Sequence, residues 1–85
     1  VEDYDGRQIV GMDLHQRRSV LVRMSEDGRR LGSAWITSSP AELRKEIARA
    51  GKSPRVVLEA AYGWQWAADT LAAAGAEVHL AHPPG

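Results

Sequence analysis

Two acidic side chains stand where strand-forming sequence does not favour them. Asp13 lies near the carboxyl end of the apolar run Arg7–His15, and Glu59 falls in the run Val56–Ala60. Asp and Glu are poor strand formers, and an unpaired buried carboxylate is costly. On adjacent parallel strands, both carboxylates would emerge at the carboxyl ends, where open α/β sheets bind ligands. Along the first strand Ile9, Gly11 and Asp13 share a face; along the fourth, Val57 and Glu59 share one. Two carboxylates meeting there repel each other unless a cation lies between them. Hard oxygen donors in a chain without Cys suit Mg²⁺ or Mn²⁺. Such a pair is the start of a two-metal site for phosphoryl transfer. A structural alternative stays open. Asp13 could cap the turn toward Arg17 or Arg18, and Glu59 could cap or ion-pair at the edge of the loop 60–63.

The other chemistry-bearing residues signal less. His15 follows Asp13 by two positions, near a metal or a phosphate. His79 lies within a strand and reads as a packed core residue, and His82 precedes Pro83 in the closing loop. No His pair has zinc spacing, and no Gly-x-Ser-x-Gly elbow supports a Ser-His-Asp triad. Trp64 continues an apolar helical stripe, whereas Trp66 points off it. The pair reads first as core and rim packing; otherwise Trp66 is a candidate for stacking on a base or for cover by a further part of the domain. Charge adds a basic middle. Residues 6–55 carry eleven bases against five acids, a net of about +6, and nine of the eleven bases are Arg. Arg is the better phosphate fork, so Arg17 and Arg18 are candidate nucleic-acid contacts; a solvated, charge-balanced surface is the alternative.

The elements that must position these residues are readable. Arg7–His15 is a strand. Ser19–Met24 is β-branched and alternating, Ser25-Glu26-Asp27-Gly28 is a hairpin turn, and Leu31–Thr37 is the return strand. Together they predict an antiparallel meander. A helix follows: Ser39 as N-cap, Pro40 at its first position, Glu42 completing a capping box, and Leu43 and Ile47 on one face. Gly51 stops it. Val56–Ala60 reads as a buried parallel strand. A second helix runs from about Trp64 to Ala74 with Gly75 as its stop, and Ala76–Ala81 is the last strand.

The order βββαβαβ predicts an α/β mixed sheet of order 3-2-1-4-5. Right-handed crossovers then place both helices on one face. The other face lacks cover within these residues, so the chain is expected to be part of a larger domain, or to be covered by a partner or a second copy.

Composition bounds the rest. The chain has 85 residues, enough for one small domain. Its 44% hydrophobic share includes 13 Ala and no Phe, which leaves a thin core. Without Cys there is no disulfide framework and no thiolate chemistry. No run approaches a membrane span and no signal peptide is visible. A soluble cytoplasmic protein without a membrane partner is expected.

Three blocks carry a family resemblance. Val10-Gly11-Met12-Asp13-Leu14-His15, Val57-Leu58-Glu59-Ala60-Ala61-Tyr62-Gly63-Trp64, and the stretch from Ala74 to Pro83 (AGAEVHLAHP) occur in that order. They resemble the N-terminal part of the DEDD transposases of the insertion sequence 110 family in bacteria, from about Ile9 to Pro83. The resemblance implies a ribonuclease-H-like (RuvC-like) partial domain over residues 1–85. It also implies divalent-metal-dependent DNA strand cleavage and transfer during transposition. Asp13 matches the first of the family's four acids and Glu59 the second. The remaining Asp-x-x-Asp pair and a C-terminal domain carrying a recombination Ser have no match here, so these 85 residues alone are expected to be inactive. DNA, and for some members a guide RNA, are the implied partners; homo-oligomerisation is expected from the uncovered face. Two rivals remain: a non-catalytic module binding nucleic acid or protein, and an actin-like or sugar-kinase ATPase. The latter wants a Gly-rich phosphate loop after the first Asp, and Leu14-His15-Gln16-Arg17 offers none.

Overall fold

The fold is described here from a computed structural model, for residues 6–59 and 63–81. Along the chain run β1 (Ile9–Leu14), β2 (Arg18–Met24), β3 (Arg30–Thr37), α1 (Pro40–Ile47), a 3-10 turn (Ala48–Ala50), β4 (Arg55–Glu59), α2 (Trp64–Ala73) and β5 (Glu77–Ala81). The strands form one mixed sheet of order β3-β2-β1-β4-β5. β1, β2 and β3 make the expected antiparallel meander. β4 lies parallel to both β1 and β5.

Strand alternation sorts the side chains onto two faces. Val10, Met12 and Leu14 of β1, Leu21 of β2, Ile36 of β3, and Val56 and Leu58 of β4 are buried together with Leu43, Ile47 and Ala50 from the first helical segment and Ala67 and Leu71 from α2. Both helices therefore cover the same face and touch each other. The opposite face has no helix over it among the described residues. It carries Val20 and Val22 of β2, Ile9, Gly11 and Asp13 of β1, and Val57 and Glu59 of β4. Expected as a buried strand, β4 instead alternates, with Val57 39% exposed. Its apolar run is continuous, but only one of its faces meets a helix.

Local chemistry sets the element ends. Ser39 is extended at φ −146°, and its hydroxyl accepts the Glu42 N–H at 3.3 Å. The reciprocal half of a capping box is not used, because the Ser39 N–H donates to the Thr37 carbonyl at 2.8 Å. Gly51 ends the first helical segment at φ +78°, in the left-handed region that favours glycine. In the β2–β3 hairpin the Ser25 N–H donates to the Arg29 carbonyl at 2.8 Å. The Ser25 hydroxyl donates to Asp27 and is the main reason that this carboxyl sits below its ordinary range.

Trp66 is half-buried and packs on the core beside Trp64, the core-and-rim packing read for the pair. An indole reaches the core from the flank of a helix whose own stripe is largely alanine. His79 is not packed inside; its side chain is 49% exposed. It pairs in register with Val57, on the open face. Among the described residues no helix is long and apolar enough to cross a membrane.

Candidate metal and nucleic-acid site

Asp13 and Glu59 share the open face at the carboxyl ends of neighbouring parallel strands. The β1–β4 ladder pairs Gly11 with Val57 and Met12 with Leu58. Asp13 and Glu59 occupy the next position of that register, where neighbouring strands lie about 4.8 Å apart. Both line one open depression of about 580 Å³ with Gly11, Met12, Val20, Val22, Val57 and Ala81. Its floor is apolar and its polar rim is acidic.

The structural alternative for Asp13, a cap toward Arg17 or Arg18, is not what the fold shows. Asp13 meets neither Arg17 nor Arg18; its ion-pair partner is His15, with Nε2 at 3.2 Å from Oδ2. That contact follows from strand geometry, since residues two apart point the same way. The Glu59 carboxylate makes no hydrogen bond or ion pair with any described residue, while its backbone pairs with Ala81. Its expected loop neighbours Ala60, Ala61 and Tyr62 lie outside the described residues, as does His82.

Do these residues fit a divalent ion? Two hard carboxylates side by side, without a cation between them, match the way Mg²⁺ is held by one or two carboxylates, its other positions taken by water and substrate phosphate. They do not make a closed protein cage: among the described residues no group of three or more His, Asp or Glu side chains gathers to hold a metal.

A second depression of about 490 Å³ adjoins the first and shares Val20 with it. Its other lining residues are His15, Arg17, Arg18 and Trp35. The Arg18 guanidinium lies 5.8 Å from the centre of the Trp35 ring, a cation–π distance. The β1–β2 loop that carries Arg17 is tied down from β3's end. Ser38 donates its N–H to the Arg17 carbonyl at 2.9 Å and its hydroxyl to the His15 carbonyl at 2.7 Å. The same hydroxyl lies 2.7 Å from that of buried Ser19. Arg17 and Arg18 line the depression that adjoins that of the acids, whereas Trp66 belongs to α2 on the covered side. Among the described residues the aromatic of the open face is Trp35, which sequence reasoning passed over. The signal was present: Ile36 is the inward residue of β3, so its neighbour must point outward.

The opposite end of the open face carries a different cluster. Glu77 ion-pairs with Arg7 and His79 and lies 3.7 Å from Arg55. The Arg7 hydrogen bond, then that of His79, holds its carboxyl down at about 2. No protein-family model and no curated protein matches the chain, so the reading of this site stands on its own geometry.

Proposed function

We propose that Asp13 and Glu59 form the two-carboxylate half of a divalent-cation site for phosphoryl transfer on nucleic acid, in a ribonuclease-H-like domain related to the DEDD transposases. One observation carries this reading. The two acids lie together at the carboxyl ends of adjacent parallel strands, in one depression, with no cationic side chain of Arg or Lys between them. Mg²⁺ or Mn²⁺ bound there would supply Lewis acidity at a phosphate oxygen. The chain's own part is to hold the carboxylates in register and to keep Arg17 and Arg18 beside them for the DNA backbone.

The test is a Mn²⁺ titration of the 85-residue chain followed by calorimetry or by the manganese spin signal. Binding should weaken about ten- to hundredfold in Asp13→Asn and in Glu59→Gln, the loss expected for one charge-assisted ligand. Equal binding in wild type and both variants would end the proposal. Cleavage of supercoiled plasmid is not expected from these residues, which match two of the four acids.

A further inference from the structure

We propose that the depression lined by His15, Arg17, Arg18, Val20 and Trp35 seats a nucleotide of a single-stranded nucleic acid, its base on the indole of Trp35 and its phosphate on Arg17 and Arg18. The inference deepens the reading of this face as a nucleic-acid surface by naming the form of strand it takes. It makes no use of the acid pair.

Trp35 is 70% exposed, the most exposed of the large apolar side chains described. It lies on edge strand β3 and pairs in register with Val20 of β2. An indole left this open in water is poorly explained by folding alone and well suited to stacking. Every base offers a π face, so an exposed aromatic beside cations binds single strands with little regard to sequence. In a duplex the base faces are already stacked on each other, and the indole would meet only groove or backbone.

The charged groups sit on the correct sides. Arg18 already lies against the ring, where its planar guanidinium can flank a stacked base or fork onto a phosphate. Arg17 precedes it on a loop fixed by the Ser38 hydrogen bonds, so little ordering is needed on binding. Arg17 and Arg18 line the depression together with Trp35, so a phosphate next to a base stacked on the indole meets them. Ser33 and Thr37 occupy the open-face positions on either side of Trp35 along β3, within the reach of sugar and base-edge groups.

The experiment uses the whole chain in EDTA at low salt. An oligothymidylate of about 12 nucleotides is titrated against tryptophan fluorescence and the anisotropy of a labelled strand. Saturable quenching is expected. Trp35→Ala should weaken binding about five- to hundredfold, and Trp35→Phe should restore part of it. Arg17→Gln and Arg18→Gln should each reduce the salt slope by about 0.7. An abasic strand of equal length should bind more weakly, because it keeps the phosphates and loses the bases. Equal binding by the abasic strand, a duplex bound more tightly than the single strand, an unchanged Trp35→Ala affinity, or no binding in EDTA would each overturn the inference. Chelation separates the two proposals: loss of strand binding in EDTA leaves the Mn²⁺ titration at Asp13 and Glu59 untouched, and the reverse also holds.

Discussion

The open face of the sheet carries acids at both ends, and the two ends treat them oppositely. At the amino end, Glu77 is surrounded by Arg7, Arg55 and His79, and its carboxyl is held down at about 2. At the carboxyl end, the Glu59 carboxylate has no described partner, and Asp13 has only His15. Register explains the difference. The β4–β5 ladder sets Arg55 opposite Glu77, whereas four residues further it sets Glu59 opposite Ala81. One end is a finished ion network that needs nothing from outside. The other end is an acid pair that meets no Arg or Lys among the described residues, and a ligand cation bound there is the proposed counter-charge.

The sharpest break of this comparison is the Mn²⁺ titration applied to both ends. Glu59→Gln should cost about ten- to hundredfold in affinity, while Glu77→Gln should leave it within about twofold, since no Glu77 contact reaches the acid pair. Equal losses at the two ends would show that the ion binds the face diffusely through its charge.

A smaller effect separates the ends by pH. The ordinary value for Glu77 is 4.5, and its partners lower it to about 2 in the folded chain. The folded state therefore favours the ionised form. That stabilisation is fully present above about 4.5 and is lost as pH falls through about 2. The Tm difference between wild type and Glu77→Gln should be largest near neutral pH and vanish toward pH 2. Glu77 is 45% exposed, so solvent screens the network and the difference stays small. A Tm difference that persists below pH 2 would assign the effect of Glu77→Gln to packing and not to charge.

Why was the acid pair legible in sequence, and the rest of the face only partly? The meander, the crossovers and the sheet order follow from a hairpin signal, an N-cap and two glycine stops, all of which act over a few residues. Asp13 and Glu59 stand out because each interrupts an apolar strand run. Their shared face then follows from a period of two. What failed was burial. His79 reads as core because it lies within a strand, yet a strand on the rim of a one-sided sheet has only one face to hide. Trp66 lies well off the stripe of Trp64, Ala67 and Leu71 by angle, yet its large indole still packs on the core, one turn before buried Thr70. Trp35 was missed for the converse reason. A Trp in an apolar strand resembles core until its neighbour Ile36 is seen to take the inward position. The tie between Ser38 and the His15–Arg17 loop spans more than twenty residues of sequence and leaves no local trace.

The smallest expected effect is also the one that tests the proposed need for a counter-charge without any ligand. If Asp13 and Glu59 face each other across one strand spacing with no cation between them, removing one charge in metal-free buffer should relieve repulsion. Asp13 also has a favourable contact to lose, the 3.2 Å pair with His15. Glu59 has no such contact, so Glu59→Gln isolates the repulsion. That substitution should raise the stability of the metal-free chain slightly, within about 0.5 kcal/mol for an exposed site. Adding Mn²⁺ should reverse the order, because wild type gains stability by mass action and Glu59→Gln does not. Glu77→Gln should lower stability in both buffers. A Glu59→Gln chain that is destabilised without metal would mean that this carboxylate already has a partner, and the contrast between the two ends of the face would be lost.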